Sequence, residues 1–395
     1  MVYYNDLNGV KLSALGFGTM RLPLNSSDPA DIDQAQVEEM TDYAIKNGIN
    51  YFDTAYPYHD GASEISIGKA LSKYPRDSFY LATKFPGHQI MSEYDCEGIF
   101  NNQLKKCGVD YFDFYLLHNV NEGSIGTYLN REIGIPEYFI KMRDEGKIKH
   151  LGFSCHGDCN CINQFLDAYG DELEFCQIQL NYLDWTLQDA KSKYELLTQR
   201  GLGVWVMEPV HGGKLANLDT ESEEILNKLR PGESNAAWAF RFLQGLPNVK
   251  VVLSGMSSID QMKDNVATFA ARKPLNGEET DEILKIAEKL KNAVPCTGCR
   301  YCCHGCPMQI DIPRMIAMYN EAKFYPSFNI SMRVDAVEAG HRPEDCIGCG
   351  QCAQICPQGI DVPSLMPQIT EEFKKLPDWA ELCRHREEMA KKNSK

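Results

Sequence analysis

A four-cysteine pattern that occurs twice, fifty residues apart, constrains this chain more than any other feature. Each copy has the spacing Cys-x2-Cys-x2-Cys-x3-Cys-Pro, and the eight thiols are Cys296, Cys299, Cys302 and Cys306, then Cys346, Cys349, Cys352 and Cys356. Three thiolates at this spacing can surround one face of a cubane cluster. The fourth, next to proline, lies too far along the chain and ligates the other cluster in proteins with two clusters. Structural zinc sites, the alternative, use two separated ligand pairs, so the pattern predicts two 4Fe–4S clusters.

The repeat extends past the cysteines, and the cysteine count agrees with cluster ligation. The residues that recur fifty positions later are Ile310, Asp311 and Pro313, as Ile360, Asp361 and Pro363. The 395 residues include sixteen cysteines, eight of them in the two motifs. That number would be a puzzling disulfide set in a chain this long, and it fits reduced thiols in a cytosol low in oxygen.

The charge and hydropathy of the chain disfavour two classes of partner. The formal net charge of −15 disfavours nucleic acid and anionic membranes. No apolar run approaches the roughly 18 residues that a membrane-spanning helix needs. The first residues also lack the basic and apolar regions of an export signal. We therefore expect a cytoplasmic protein.

Strand-like and helix-like segments alternate through most of the chain. An Asn8-Gly9 turn joins two short strands, because this dipeptide supplies the two positive φ values of a type I′ turn. The apolar segments that follow lie at residues 15–20, 50–55, 79–84, 112–118, 148–154, 174–181, 203–208 and 249–255. An amphipathic helical segment follows each of them. Eight such units predict an α/β fold, a parallel (β/α)8 TIM barrel.

Four reactive side chains lie where consecutive strands of the predicted barrel end. The second strand leads into Asp53 and Tyr58, the third ends at Lys84 and the fourth at His118. Such barrels carry their chemistry at the carboxyl ends of the strands, so these side chains should converge. An ammonium lowers the pKa of a neighbouring tyrosine, and a carboxylate holds the lysine charged. With a histidine that orients a carbonyl or alcohol oxygen, the group could deliver a proton as a hydride arrives from elsewhere.

On these residues, positions 1–275 resemble the aldo/keto reductases. The resemblance rests on the hairpin below the barrel, the Asp53-x4-Tyr58 loop, Lys84 and the Leu-Leu-His118 segment. With the doubled cysteine motif, the chain is similar to the iron–sulfur-containing aldo/keto reductase-like oxidoreductases of anaerobic bacteria and archaea. The resemblance implies a catalytic tetrad of Asp53, Tyr58, Lys84 and His118 and a cofactor that is NADP or NAD.

The chain is expected to divide into three segments. Residues 1–290 form the barrel with its hairpin plug. A polar helix at about 277–292 leads into residues 291–375, a small α-rich, ferredoxin-like domain with the two 4Fe–4S clusters. Residues 376–395 form a charged C-terminal tail that we expect to be a surface helix.

The resemblance carries over to only some of the nucleotide-binding positions. Family members hold the nicotinamide amide with a Ser-Asn pair and a glutamine. Ser154 and Gln177 match here, but Cys155 stands in place of the asparagine. Met207 replaces the tyrosine on which the ring usually stacks, and a thioether can also pack on a ring. The phosphate loop and the helix after it would contribute Gly255, Ser257, Gln261 and Asn265. The arginine that many relatives offer to a 2′-phosphate is missing from that loop, so NADP and NAD both stay open.

Three further features have a plain and a functional interpretation. One group follows the fifth strand: Cys155, His156, Cys159 and Cys161. The plain interpretation of this group is an incidental grouping, and the functional interpretation is a third metal site or a reactive thiol. Cys303, beside the ligand Cys302, is interpreted as a bystander. Gly212-Gly213-Lys214 lacks the glycine spacing of a P-loop and is interpreted as a flexible loop over the cofactor.

The two halves of the chain handle electrons differently, because a hydride carries a pair and a 4Fe–4S cluster transfers one. The leading hypothesis is an NAD(P)-linked oxidoreductase acting on a small carbonyl or alcohol. Its clusters exchange electrons with a ferredoxin- or flavodoxin-like partner or stabilise the fold. A flavin in the nicotinamide site is a variant that Cys155 and Met207 indicate. The alternative is a non-catalytic electron-transfer or redox-sensing protein on a reductase-like barrel, against which the complete tetrad argues.

Overall fold

A hairpin and a closed barrel form the first part of the computed structural model, which describes residues 1–291 and 293–393. The strands are β1 (Tyr4–Leu7), β2 (Val10–Ser13), β3 (Leu15–Gly18), β4 (Tyr51–Asp53), β5 (Tyr80–Phe85), β6 (Phe112–Val120), β7 (Ile148–Cys155), β8 (Phe175–Gln179), β9 (Gly203–Met207) and β10 (Val249–Gly255). Strands β3 to β10 follow one another around the barrel in parallel, and β10 closes it by pairing with β3. The predicted (β/α)8 barrel is therefore confirmed.

The hairpin of β1 and β2 plugs the end of the barrel at which the strands begin. Asn8 and Gly9 have φ values of 51° and 92°, as a type I′ turn requires. Leu7 and Leu12 are buried in the barrel interior, where they belong to one apolar cluster with Trp205 and other inward-facing residues. The opposite end, where the strands finish, is thereby left for a functional site.

Helices alternate with the strands and cover the outside of the barrel. They are α1 (Gln34–Lys46), α2 (Ala62–Leu71), α3 (Cys96–Cys107), α4 (Ile125–Leu129), α5 (Ile135–Asp144), α6 (Cys159–Tyr169), α7 (Asp184–Leu187), α8 (Ala190–Gln199), α9 (Thr220–Leu229), α10 (Asn235–Gln244), α11 (Ile259–Phe269) and α12 (Gly277–Lys291). Many begin at a side chain that accepts a backbone N–H of the first turn, as Asp33, Asp95, Asp158 and Ser258 do.

The sequence did not predict three of these helices. Helices α4 and α7 have five and four residues, too few to show a helical period. In α9, only Ser222 and Leu226 are buried, so its apolar stripe is hard to see among the charged residues. The last residue of the polar helix predicted at 277–292 lies outside the described residues.

The cysteine-rich region is helical and internally duplicated. Its helices are α13 (Tyr301–His304), α14 (Ile312–Phe324), α15 (Phe328–Asp335), α16 (Gln351–Ile355), α17 (Val362–Phe373) and α18 (Trp379–Asn393). Asp311 caps α14 and Asp361 caps α17, and each cap is followed by a proline in the first turn. The sequence repeat outside the cysteines therefore reflects two equivalent helix starts.

Helices α15 and α18 lie on the barrel face where the strands end. The Asn119 side chain at the end of β6 donates to Asn329 of α15 over 2.8 Å. The Ser92 hydroxyl donates to Glu387 of α18 over 2.6 Å, and the Ile90 N–H donates to the Cys383 sulfur over 3.4 Å. The barrel mouth is thus partly covered by the C-terminal, cysteine-rich part of the chain. Among the described helices, none is both long and apolar enough to cross a membrane.

Candidate active site

The structure brings Asp53, Tyr58, Lys84 and His118 together at the barrel mouth. The Lys84 ammonium donates to Asp53 Oδ2 over 2.6 Å and to the Thr54 carbonyl over 2.7 Å. The same Nζ lies 3.4 Å from the Tyr58 hydroxyl. The rings of Tyr58 and His118 meet edge-on, with centroids 6.0 Å apart. The four side chains that the sequence placed at strand ends therefore form one connected group.

The turn that begins at Tyr58 has an unusual backbone. Tyr58 opens a short 3-10 turn, Tyr58–Gly61, in which His59 and Asp60 have φ values of 53° and 51°. Two consecutive non-glycine residues in the left-handed region carry strain of order 1–3 kcal/mol each, and such strain concentrates at functional sites. The His59 ring connects the turn to the segment after β3, because its Nε2 accepts the Leu22 N–H over 3.1 Å.

Burial sets the charge states in this group. Burial raises the pKa of Asp53 and lowers the pKa of Lys84. The charge of Lys84 partly offsets the first shift, and the charge of Asp53 partly offsets the second. Burial also lowers the pKa of His118 well below its usual value, so the imidazole is neutral at neutral pH. Burial, then the charges of Asp53 and Glu208, raises the pKa of Tyr58 well above 10. The expected lowering of that pKa by the lysine is therefore wrong, because burial disfavours the phenolate and both carboxylates repel it.

Several buried polar atoms around the group have no hydrogen-bond partner among the described residues. They include Asp53 Oδ1, His118 Nδ1 and Gln177 Oε1. A buried acceptor without a partner costs about 1–3 kcal/mol. Buried polar groups are otherwise almost always satisfied in proteins, so these atoms indicate a place where a bound molecule completes the hydrogen bonding.

A cavity of about 500 Å³, here called the barrel cavity, opens beside the tetrad. Its walls include most of the positions expected to hold the nucleotide: Gln177, Met207, Gly255, Ser257, Gln261 and Asn265. The Gln177 amide donates to the Met207 sulfur over 3.4 Å, which leaves its carbonyl oxygen free to face a ligand. Ser154 is not among the described lining residues, and its hydroxyl accepts the Asn119 N–H over 2.8 Å.

The far end of the barrel cavity is suited to phosphate groups. Helix α11 begins there, with Ser258 as its N-cap, and the N–H groups of a helix start attract anions. The Ser257 hydroxyl donates to the Arg21 carbonyl over 2.8 Å. The Arg21 side chain lines the cavity as well. Sequence reasoning missed this arginine because it searched for a cation only after β10. The cavity therefore fits a nicotinamide nucleotide by size, by donor groups and by an unsatisfied amide oxygen.

A second cavity, of about 270 Å³, lies between the barrel mouth and the C-terminal, cysteine-rich part of the chain and is here called the interdomain cavity. Tyr58, His118 and His88 line it from the barrel, whereas Asn329 and Arg386 line it from α15 and α18. Tyr58 lines the barrel cavity too, so the tetrad stands where the two cavities meet. Sequence reasoning missed His88 and Arg386, because the two segments that carry them are far apart in sequence and meet only in the folded chain.

The eight motif cysteines surround two small cavities in a crossed arrangement. One is lined by Cys296, Cys299, Cys302 and Cys356, and the other by Cys346, Cys349, Cys352 and Cys306. Each set combines three cysteines of one motif with the fourth of the other, as the spacing predicted. Four thiols around each space are the donor set of a 4Fe–4S cluster, so these residues fit the group. Across the described residues, no group of His, Cys, Asp or Glu could hold a single metal ion.

The group after β7 takes no part in such a site. The thiols of Cys155 and Cys161 are buried, and a hydrogen bond with Cys155, together with burial, raises the pKa of Cys161. His156 turns toward Asn329, whose amide nitrogen lies 3.3 Å from its Nε2. The incidental interpretation of this cysteine group therefore fits better than a third metal site. The Gly212-Gly213-Lys214 segment forms a 3-10 turn, and both glycines line the barrel cavity.

This arrangement defines a (β/α)8 oxidoreductase joined to an iron–sulfur domain. Comparison with protein-family models makes the class specific. The model of the aldo/keto reductase family matches residues 14–288, and the chain belongs to that family. The model of the 4Fe-4S dicluster domain matches residues 295–360.

Several known proteins are similar to this chain over the barrel. An L-galactose dehydrogenase from Arabidopsis thaliana is 27% identical over 311 residues, which are 72% of this chain and 93% of that protein. An NADH-specific methylglyoxal reductase from Escherichia coli is 24% identical and covers 66% and 90%. The structure of an aldo-keto reductase from Bacillus halodurans, in its holo form, has a TM-score of 0.58 at 26% identity and covers 72% and 96%. An aldo-keto reductase from Klebsiella pneumoniae in complex with NADPH shares the fold, with a TM-score of 0.58 at 20% identity over 73% and 95%.

Proposed function

We propose that this protein reduces a small carbonyl compound, or oxidises the corresponding alcohol, with a nicotinamide cofactor. The observation that carries the proposal is the position of Tyr58. Its hydroxyl lies 3.4 Å from the ammonium of Lys84, and its side chain lines both the barrel cavity and the interdomain cavity. A proton donor is thus set between a space for a nucleotide and a space for a substrate.

The residues that would hold the nucleotide are those of the barrel cavity. Gln177 would accept the nicotinamide amide, Met207 would pack on the ring, and Ser257, Gln261 and the start of α11 would bind phosphate. When bound, the cofactor supplies or accepts a hydride. Arg21 offers a cation in the same cavity, which keeps a 2′-phosphate possible although β10 is followed by serines. The relatives differ here too, since one is named NADH-specific and one was solved with NADPH.

The four tetrad residues divide the proton chemistry among them. Because its pKa is raised, Tyr58 is a neutral phenol that can donate its proton to a carbonyl oxygen. The Lys84 ammonium then stabilises the phenolate, and Asp53 keeps that ammonium charged and oriented. His118 is neutral, and its unsatisfied Nδ1 can hydrogen-bond to the same substrate oxygen. In the oxidation direction, the same groups take up the proton of the alcohol.

We further propose that the eight cysteines hold two 4Fe–4S clusters for one-electron transfer. Ile312, at the start of α14, lines both cysteine-lined cavities, and Glu321 of the same helix lines the interdomain cavity. At about 1.5 Å per residue, these two positions are roughly 14 Å apart along the helix. Cys299 and Cys349 are exposed, so an external carrier, such as a ferredoxin- or flavodoxin-like protein, can approach both clusters.

A single hydroxyl deletion tests the reductase proposal. Protein reconstituted anaerobically with iron and sulfide is assayed for carbonyl reduction with NADH and NADPH. The change Tyr58→Phe removes the proton donor, and we expect kcat to fall by about 10²–10⁴-fold. Iron content should not change. Tyr56→Phe is the matched control, because Tyr56 is a buried tyrosine of the same loop that does not line either cavity.

An equal rate in the wild type and in Tyr58→Phe would remove Tyr58 as the acid. Absence of any pyridine-nucleotide oxidation in the wild type would favour the non-catalytic redox protein instead. The same samples report on coupling between the two halves, because cluster absorption near the visible maximum falls on reduction. Bleaching by NADH or NADPH would require a mediator inside the protein, and a flavin count on the same sample tests for one.

A further inference from the structure

We propose that the interdomain cavity binds a carbonyl compound that carries a carboxylate or phosphate group, and that Arg386 of α18 recognises this anion. The carbonyl part of the inference rests on the proposed function, whereas the anion site does not. Nothing in the family model, which ends at residue 288, covers this residue.

Arg386 reaches the tetrad from the other end of the chain. It lines the interdomain cavity together with Tyr58, His88 and His118. The positive charge of Arg386 acts on this part of the cavity, because it contributes to lowering the pKa of His88 and of His118. A substrate whose carbonyl oxygen meets Tyr58 therefore has this guanidinium within the same small space.

An aromatic stack holds the guanidinium in a fixed position. Its central carbon lies 5.2 Å from the centre of the Phe328 ring and 5.8 Å from that of Trp379. Those two rings are stacked at 5.7 Å. Trp379 also stacks on His88 at 5.7 Å, and His88 meets the ring of His118 at 4.5 Å. Flat contacts of this kind orient an arginine while its N–H groups stay available to an anion.

The other formal charges on the cavity wall are paired. Arg21 lies 3.7 Å from Glu208, and Arg333 lies 2.8 Å from Glu321. Arg386 instead contacts aromatic faces. His88, His118 and His156 are neutral at neutral pH, because burial lowers the pKa of each. In a chain with a net charge of −15, this cavity therefore carries positive charge on its wall.

The electrostatic state of Arg386 favours an anionic ligand. Burial of the guanidinium lowers the pKa of Arg386, and nearby acidic groups, Asp60 among them, offset only part of that shift. A bound carboxylate or phosphate would offset the cost of burying the charge of Arg386. The planar guanidinium can bind two oxygens of either group side by side. A neutral substrate would not offset the cost of burying this charge. The volume of about 270 Å³ suits a small molecule.

Matched substrate pairs test the proposal on the holoenzyme. One pair is 4-oxobutanoate and its methyl ester, and the other is glyceraldehyde 3-phosphate and glyceraldehyde. The readout is the ratio of kcat/KM for the charged over the neutral member. We expect the wild type to prefer one charged member, and Arg386→Gln to lower that ratio by about 10–100-fold, the effect of one charge-assisted hydrogen bond. Arg386→Lys should recover part of it. The control Arg384→Gln removes an exposed cation of the same helix and should keep the wild-type ratio.

The two arms distinguish a carboxylate from a phosphate, since the preferred pair identifies the anion. A calorimetric titration with unreactive succinate and inorganic phosphate adds a readout without catalysis. Binding that Arg386→Gln weakens at least tenfold, in protein that reduces none of the carbonyls, would uphold the anion site and reject the reductase proposal. Reduction with an equal ratio in the wild type and Arg386→Gln would overturn the anion site and leave the reductase. Hydrogen-exchange mass spectrometry of residues 379–389 checks that α18 stays docked in each variant.

Discussion

Lys84 is the residue on which the tetrad depends. Its side chain is fully buried, and an isolated ammonium in such a place costs several kcal/mol. Asp53 at 2.6 Å and the Thr54 carbonyl at 2.7 Å compensate that cost and fix the direction of the third N–H, toward Tyr58. The pair thus stabilises the barrel mouth and positions a charge for the proton transfer with the same contacts.

A second buried pair, Asp184 and His211, gives a pH-dependent prediction. His211 Nδ1 lies 2.9 Å from Asp184 Oδ2, which also accepts from Gln179 and Asn181. Burial lowers the pKa of His211, but the charge of Asp184 outweighs it, so the net shift is upward from 6.5. The stability that this shift contributes is fully present below pH 6.5 and is lost as the pH rises through the raised value.

The change Asp184→Asn should therefore cost most stability in mildly acidic solution. We expect a loss of about 3–5 kcal/mol at pH 6, because one partner of a buried pair is removed. The difference in Tm from the wild type should narrow between pH 6 and pH 9, measured by calorimetry on holoprotein. The carboxylate of Asp184, whose net pKa shift is downward, is ionised at both pH values. Asp171→Asn, an exposed acid, should change Tm little at either pH. A difference in Tm that stays the same from pH 6 to pH 9 would show that His211 is not charged in the folded protein.

At the residue scale, the sequence predicted what strand position determines and missed what distant segments supply. Asp53, Lys84 and His118 follow directly from the rule that chemistry lies at strand ends. His88 and Arg386 had no such signal, because a loop and a helix nearly 300 positions apart in sequence meet only in the folded chain. The direction of the Tyr58 pKa shift was missed because its main cause is burial, which depends on how the whole chain packs around the barrel mouth.

Helix α18 shows how an element can carry a signal that is easy to overlook. Its sequence is dominated by charges and predicts a surface helix. Yet Trp379, Cys383 and Arg386 have spacings of four and three, which place them on one helical face. That face packs on the barrel mouth, with Trp379 and Cys383 almost completely buried. The element is both the charged helix that the composition indicated and part of the cavity wall.

The docking of α18 should depend on Trp379. Trp379→Ala removes the stack with His88 and Phe328. Truncation of a buried tryptophan costs about 3–5 kcal/mol, so we expect amide exchange in residues 379–389 to accelerate by roughly 10²-fold or more. Hydrogen-exchange mass spectrometry on the reconstituted protein measures this directly. Glu381→Ala, an exposed position of the same helix, is the control and should leave exchange unchanged. Equal exchange in both variants would mean that the contacts of Cys383 and Glu387 alone hold the helix.

At the scale of the whole molecule, an internally duplicated domain is placed against a barrel mouth. The duplication reaches the backbone: positive φ values recur fifty positions apart at Gly298 and Gly348, Arg300 and Gly350, and Gln309 and Gly359. The sequence alone indicated the repeat and the barrel. It did not indicate that the two meet, because the barrel residues that α15 and α18 contact are more than 200 positions away in the sequence. The interdomain cavity exists only through that meeting.

The crossed arrangement of the cysteines makes a prediction about the whole domain. Cys299 and Cys356 line one cavity, whereas Cys306 lines the other. The double change Cys299→Ala with Cys356→Ala should therefore destroy one cluster and leave the second intact. Iron should fall from about eight to about four atoms per chain, with the paramagnetic signal of one complete 4Fe–4S cluster after reduction. Cys299→Ala with Cys306→Ala removes the same number of thiols but takes one ligand from each cluster, so no complete cluster should remain.

Cys303→Ala is the control for these counts, because Cys303 lies beside Cys302 without lining either cavity, and its iron content should equal that of the wild type. The two double variants give opposite results if ligation runs within each motif instead. In that case Cys299→Ala with Cys306→Ala would retain one complete cluster, and Cys299→Ala with Cys356→Ala would retain none. Crossed ligation ties both motifs into one unit, so the loss of Cys356 should also loosen the segment that holds Cys296. That coupling would make the pair of clusters a single support for α14, the helix that leads from both of them to the interdomain cavity.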